Sequence, residues 1–364
     1  MKVLHLNSNF LFTKIYENQI NSMPAHFDHI IYNPLRNEVE SESDLNVLNP
    51  KNLSKLDSIL SLKRLSKSFK YLKNKVAFNQ IGIIHAHTMT NDGLLAYKIS
   101  KKYEVPYILT IRNTDINFTL KYKKHLKRIF YKIIMNSQQV IFPNHSYQEK
   151  LLAMFKGNSK LKMKLRNAII IPNGVDGLWL NNPAIYPKSI NKDHIKILFI
   201  GRIYSNKNLH NLLAAIDNNE NCELTIIGKV IDQNYFDNLN KKYDLNYLGE
   251  KSKTEIIEIM KEHQIFAMPS FNETFGLVYI EALSQNLPIL YTKSEGIYKY
   301  FEEGHFGIGV EPSNITSIKK GLDFIINNYQ SLQDNLEDKS FLDDFNWDNI
   351  GKVYEKLYLG EYDE

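Results

Sequence analysis

The sequence predicts an α/β protein of two Rossmann-like domains, each built on a parallel sheet and facing the other across a cleft. Three observations carry that expectation. Short β-rich runs alternate with helix-length segments from end to end, as parallel strands require, because each crossover between them needs room for a helix. The chain has 364 residues, more than the roughly 100 to 200 of a single domain. A stretch with little periodic apolar content, "LNNPAIYPKSINKDH" (180–194), reads as a linker and sets a boundary near residue 190.

In the first half the strand-like runs are "KVLHL" (2–6), "IGIIHAH" (81–87), "YILTI" (107–111), "QVIFP" (139–143) and "AIIIPN" (168–173). The second half repeats the alternation with "IKILFIG" (195–201), "ELTIIG" (223–228), "NYLG" (246–249) and "IFAMP" (265–269), and Pro288 opens a further strand. The expected domains are therefore 1–190 and 191–340. The segment 341–364 contributes a last amphipathic helix, with Trp347, Ile350, Val353, Tyr354 and Leu357 at spacings of three and four. Acidic "EVESESD" (38–44) reads as a solvated loop.

Composition narrows the function classes. Hydrophobic residues make up 43% and charged residues 23%, values of a folded soluble chain rather than a disordered one. The lone cysteine, Cys222, has no partner for an intrachain disulfide and reads as a small apolar residue. The N-terminal "MKVLHLNSNFLF" has neither the continuous apolar core nor the cleavage site of a signal peptide, and no run approaches about 18 apolar residues. These features predict a cytoplasmic protein. The net charge of +5 is concentrated in "SLKRLSKSFKYLKNK" (61–75) and "LKYKKHLKRIFYK" (120–132). Both interleave cations with apolar residues at near-helical spacing, as surfaces facing anionic lipid on the inner side of the cell membrane do; the alternative is a solvated helix face. No nucleic-acid motif accompanies the charge.

Functional groups in a parallel sheet gather beyond the carboxyl ends of the strands. In "FIGRIYSNKNLHNLLAAI" a strand leads through Gly201 and Arg202 to Lys207, which precedes a helical pattern. Two cations at a strand exit and a helix entrance suit a multiply charged anion. In "IFAMPSFNETFGLVYIEALSQNLPIL" the order is strand, loop, helix: Glu273 falls in the loop, Gly276 opens the helix, and Glu281 lies in its second turn. Amides near Phe275, Gly276 and Leu277 suit a phosphate. The two acids suit hydroxyls at opposite ends of an elongated ligand, as an acidic residue binds ribose in dinucleotide folds. Either acid alone would be explained by helix electrostatics.

These motifs resemble the retaining, nucleotide-sugar-dependent glycosyltransferases of the GT-B fold, the group-1 family. The resemblance rests on "IPNGVD" (171–176), "GRIYSNKN" (201–208), "PSFNETFGLVYIEAL" (269–283) and "EGIYKYFEEGHFGIGVEP" (295–312). It implies that Arg202 and Lys207 bind the donor diphosphate beside Gly201, that Glu281 holds the ribose hydroxyls, and that Glu273 contacts the transferred sugar next to Thr274 and the amides of Phe275, Gly276 and Leu277. It further implies a UDP- or GDP-sugar donor, a glycan or lipid-linked acceptor bound by the first domain, a setting in cell-surface polysaccharide assembly, and a last helix that crosses back to the first domain. The chain contains no Asp-x-Asp motif, so the implied reaction needs no metal or added cofactor.

The first half departs from the family. "LNSNFLFTKIYEN" lacks the usual glycine pair, and Asn7, Ser8, Asn9 and Thr13 offer side-chain hydrogen bonds instead. Arg112 in "YILTIRNTDIN" occupies the usual histidine position. It stays protonated and cannot serve as a general base, but suits a leaving phosphate or an anionic acceptor, with Asp115 either pairing with it or serving as a structural loop carboxylate. His85 and His87 share one strand face without a third ligand nearby in sequence, and suit either acceptor lining or structure. Two other readings remain at this level: a GT-B nucleotide-sugar epimerase, and an inactive nucleotide-sugar-binding partner.

Overall fold

The computed structural model describes residues 1–35, 43–50, 53, 61–120, 126–155, 157–217 and 219–362. They form two compact units. Unit 1 carries a seven-stranded sheet of β1 (Lys2–Leu6), β2 (Asp28–Tyr32), β3 (Asn46–Leu48), β4 (Ile81–Ala86), β5 (Tyr107–Thr110), β6 (Gln139–Phe142) and β7 (Ile169–Ile170). Unit 2 carries six strands: β8 (Ile195–Ile200), β9 (Cys222–Ile227), β10 (Asn246–Tyr247), β11 (Ile265–Ala267), β12 (Ile289–Thr292) and β13 (Gly307–Val310). The strand orders are β3-β2-β1-β4-β5-β6-β7 and β10-β9-β8-β11-β12-β13, and every pairing is parallel. The parallel α/β architecture expected from the alternation is thus present. Three strands escape sequence reading: β2 is half-exposed, β3 spans three residues, and β13 is half glycine, "GIGV".

Helices cover both faces, which explains the near-continuous apolar strands. The chain leaves unit 1 after Gly174 and returns to it at Trp347; unit 2 comprises Val175–Asn346 together with Asn144–Ser146. The crossing therefore precedes the expected residue 190. The proline-bearing stretch that suggested 190 is fastened to unit 2: the Ala184 amide donates to Ser284 O at 2.8 Å, and Lys188 Nζ donates to the carbonyls of Met260 (2.6 Å), Lys261 (2.9 Å) and His263 (3.1 Å). The helix Trp347–Leu359 seats Ile350, Tyr354, Leu357 and Tyr358 against Val3, Ile83, Ile108 and Ile141 of the first sheet. It lies so near the helix Ile15–Asn21 that a Cβ on Gly351 would come 2.1 Å from Ser22 O.

Of the two basic segments, 61–75 forms one helix, Ser61–Lys75. Phe69 and Leu72 are buried in the core, and Lys63, Lys70, Lys73 and Lys75 are exposed. Its apolar side is therefore already occupied by protein. In the second segment, residues 121–125 lie outside the described residues, and a helix begins at Lys127. Residues 38–42 of the acidic stretch likewise lie outside them.

Beneath the last helix, β1, β2 and β4 bring four histidines together, which corrects the view that His85 and His87 lack a third neighbour. One ligand nitrogen each from His5, His85 and His87 lies within 4.8 Å of the others. These nitrogens are engaged: His5 Nδ1 with His87 Nε2 at 3.0 Å, His5 Nε2 with His29 Nδ1 at 2.9 Å, and His85 with Tyr358 Oη and Thr110 Oγ1, both at 2.8 Å. A chain of neutral rings satisfies such bonds because each ring donates once and accepts once. His87 Nδ1 and His29 Nε2 remain as buried ends without a partner. A proton added at the outer nitrogen that carries the lone pair would leave these bonds intact, so burial rather than bonding is what keeps the rings neutral.

Burial holds His5, His85 and His87 well below the ordinary histidine range, and His29 falls to about 4. The unfolded chain takes up protons below about pH 6.5 that the folded chain refuses, so stability is complete above that pH and falls as pH drops through it. Each histidine contributes a slope of up to about 1.4 kcal/mol per pH unit. Asp115, raised to about 6 by burial, opposes this in part. Urea unfolding should show the free energy falling between pH 6.5 and 5, with a shallower slope in a folded His87→Gln variant; a flat profile would contradict the neutral chain.

Candidate active site

In both sheets the chain order reverses beside the first strand of the unit, between β1 and β4 and between β8 and β11. Loops leaving the carboxyl ends of two such strands diverge and leave a crevice. In unit 2 these are the loops that carry the predicted residues.

Beyond β8, the Gly201 amide donates to Ile227 O at 2.9 Å. The backbones pass so closely that a Cβ on Gly228, whose φ is +139°, would come 2.0 Å from Gly201 O. Arg202 is exposed, and no carboxylate among the described residues pairs with it. Ile203 is fully buried and fixes the chain there. A short turn, Ser205–Lys207, then delivers Lys207, and Asn208 follows in the left-handed region at φ +59°. The buried Asn208 side chain donates to Pro269 O at 2.8 Å and Pro312 O at 2.6 Å, which ties this turn to the loop after β11.

That loop is bound on both sides. The Phe271 amide donates to Asn206 O at 2.8 Å, and the side chain of Asn206 donates to Asn272 O at 2.9 Å. Lys207 Nζ meets the Glu273 carboxylate and lies 3.8 Å from Met268 Sδ. Both partners are largely buried, with side-chain exposures of 14% and 15%. Lys207 and Glu273, expected to serve different parts of one ligand, thus form an ion pair. Thr274 donates its amide to Glu273 Oε1 at 3.0 Å, and Phe275 is buried against Tyr300 and Phe345. Gly276 takes φ +80°, and a Cβ there would sit 2.5 Å from the Tyr279 ring. The helix Leu277–Ser284 starts at this glycine with no side chain capping it, so its first amides are open to an anion.

Sequence reasoning missed Glu295. It is 93% buried, with 7% exposure, and its carboxylate accepts the Glu273 amide at 3.3 Å, while the next residue, Gly296, donates its amide to Glu273 O at 3.1 Å. Consecutive residues thereby hold both sides of the Glu273 peptide. Only the left-handed glycine beside it, Gly296, signalled a close approach.

Glu281 is half-buried in the second turn of the helix, and its carboxylate makes no hydrogen bond among the described residues. Burial raises its carboxyl to about 7, with Lys253 partly opposing and Asp176 adding to the shift. Lys253 and Asp176 pair at 2.5 Å.

In unit 1, Arg112 is half-buried past β5, its guanidinium 4.8 Å from the Tyr16 ring centroid. Asp115 does not pair with that guanidinium. Its fully buried carboxylate accepts the backbone amides of Arg112 (3.0 Å), Met89 (2.9 Å) and Thr90 (3.1 Å), because buried amides beyond a strand end must find acceptors. The loop after β1 uses its polar groups internally: Asn7 Oδ1 accepts the Asn9 amide at 3.0 Å, and Ser8 Oγ donates to buried Asp92 at 2.6 Å.

Residues 184–341 match the family model described as Glycosyl transferases group 1, and residues 7–145 match Glycosyl transferase 4-like. An uncharacterized glycosyltransferase of Methanocaldococcus jannaschii, MJ1178, is 28% identical over 318 residues, 84% of each chain. Among solved structures, the lipopolysaccharide outer core galactosyltransferase WaaB aligns over 100% of both chains with a TM-score of 0.74 and 16% identity. Anabaena HepE, in complex with UDP and glucose, aligns over 99% of this chain and 100% of its own with a TM-score of 0.66 and 15% identity. The fold is GT-B, and the two parts of the chain match glycosyltransferase family models, the group-1 model over residues 184–341.

Proposed function

We propose that the protein is a retaining glycosyltransferase that moves a sugar from a UDP- or GDP-sugar to a glycan or lipid-linked acceptor in cell-surface polysaccharide or glycolipid assembly. The observation that carries this reading is the joining of the β8 and β11 loops through Lys207 and Glu273 beside an uncapped helix N-terminus. Breaking the anomeric bond leaves an oxocarbenium-like sugar and a diphosphate gaining charge. Arg202, Lys207 and the amides of Phe275, Gly276 and Leu277 stabilise that charge more in the transition state than in the ground state. Glu273 keeps Lys207 in place and meets the sugar. Gly201 lets the diphosphate approach the backbone, Thr274 fixes the Glu273 carboxylate, and Glu281 accepts the ribose hydroxyls. Each of these steps uses side chains and amides of the chain itself. The complex of HepE with UDP and glucose, and the likeness to WaaB, a lipopolysaccharide outer core galactosyltransferase, support the donor and acceptor classes.

Incubation with a panel of nucleotide-sugars, with and without membrane lipid extract, should release nucleoside diphosphate from one donor, dependent on the extract. Lys207→Ala should lower that rate on the order of 100-fold, and Glu273→Ala should abolish it. Unchanged turnover in a folded Lys207→Ala variant would remove Lys207 from the site.

Ionised Glu281 is the form that accepts two hydroxyls. With its carboxyl near 7, raising the pH from 6 to 8 should tighten nucleotide-sugar binding by about tenfold, since the diester diphosphate does not titrate there. Calorimetry should show this pH dependence disappearing in Glu281→Gln; its persistence would mean that another group titrates.

We also propose attachment to anionic membrane through the exposed lysines of the helix Ser61–Lys75. With Phe69 and Leu72 buried in the protein, the attachment is electrostatic, worth about 1 kcal/mol per lysine, and is weakened by salt. Vesicle flotation should show binding that requires anionic lipid and weakens about fivefold for each of Lys70→Gln and Lys73→Gln. Equal binding to neutral vesicles would overturn this.

A further inference from the structure

Arg112 follows β5 at the carboxyl edge of the first sheet. The face of its guanidinium rests on Tyr16, and Nη1 reaches Asn173 Oδ1 at 3.5 Å, the outer limit of a hydrogen bond. Nε is buried with no hydrogen-bond partner. No carboxylate among the described residues pairs with this guanidinium; Asp115, the nearest in sequence, is engaged by three backbone amides. Of the adjoining rings, His5 is bonded to His87 and His29, and His85 to Thr110 and Tyr358, and none carries negative charge.

An arginine is always charged, and withdrawing it from water without a counterion is costly. Lys207 shows how the same chain treats a cation it means to neutralise, by giving it Glu273. At Arg112 no counterion stands among the described residues, while its guanidinium carbon lies over the Tyr16 ring, 4.8 Å from the centroid. On the edge formed by Nε and Nη2, Nε has no acceptor among the described residues, and two parallel N–H donors on one edge match the two oxygens of a carboxylate or phosphate.

We propose that Arg112 binds an oxyanion, carboxylate or phosphate, carried by a sugar substrate, so that this chain selects an acidic sugar over its neutral counterpart. The identification of the ligand as a substrate rests on the glycosyltransferase reading; the anion requirement rests on Arg112 alone.

The test titrates the full-length protein, by saturation-transfer NMR, with glucose, glucuronate and glucose 6-phosphate, and separately with UDP and GDP. Wild type should bind glucuronate or glucose 6-phosphate about tenfold or more tightly than glucose, and the acid that is preferred identifies the source as carboxylate or phosphate. Arg112→Gln should weaken that binding by about 10- to 100-fold, and Arg112→Lys should restore part of it. Equal binding of the three sugars by wild type, a preference that survives in Arg112→Gln, or a loss confined to UDP and GDP would each overturn the proposal. The wild-type comparison decides even where a variant does not fold. Acid-selective sugar binding without any UDP or GDP binding would sink the donor-site reading and leave the role of Arg112 standing.

Discussion

The constraint on which the rest depends is the reversal of strand order beside β8. A parallel sheet begun from a central strand must send its later strands to the other side, and the loops leaving the two neighbouring strands then part at their carboxyl ends. Here the neighbours are β8 and β11. Residues some 60 positions apart in sequence, Lys207 and Glu273, meet for that reason. Asn208 closes the junction by donating to two carbonyls from different loops, and its left-handed backbone serves that bridge. The glycines follow from the same crowding: Gly228 lets two loops touch, and Gly276 lets a chain turn sharply into a helix.

Much of this was legible because strands buried on both faces are written as continuous apolar runs. "IKILFIG" and "IFAMP" reveal themselves without a partner, and the residues that follow them can be placed at strand exits. The loop acids and cations were legible for the same reason. Features that depend on a distant partner were not. His85 reads as one of a pair until β1 supplies His5, because register between strands is a property of the sheet. Glu295 reads as one more surface acid until the fold sets it against the Glu273 amide. The boundary was misread near 190 because prolines and asparagines mark irregular backbone, whether it links two bodies or is strapped to one, and the hydrogen bonds of Lys188 decide which.

Two cations of this chain show opposite solutions to the same cost. Lys207 is largely buried, and Glu273 compensates it inside the protein. On the proposed reading, a ligand diphosphate would compete with, or share in, this existing pair, which would hold the ammonium in position before the donor arrives and limit reorganisation during the reaction. Arg112 has a half-buried guanidinium with an orphan Nε and no carboxylate partner. Its stabilisation has to come from outside the chain, and this makes it selective in a way Lys207 is not: an internally compensated charge tolerates a neutral ligand, whereas an uncompensated one disfavours it.

The same distinction bears on Arg112 at a position where the family carries histidine. A neutral imidazole can donate to a hydroxyl and lose little when a substrate lacks charge. A guanidinium half out of water cannot, since its solvation must be replaced by an acceptor of comparable strength. Beside it lies a chain of histidines that burial keeps neutral, and the positive charge of Arg112 favours that neutrality at His85 and His87. An anion at Arg112 would weaken this bias and leave burial to maintain it. On the proposed reading, substrate charge would therefore bear on the protonation of the core beneath the last helix through this one side chain.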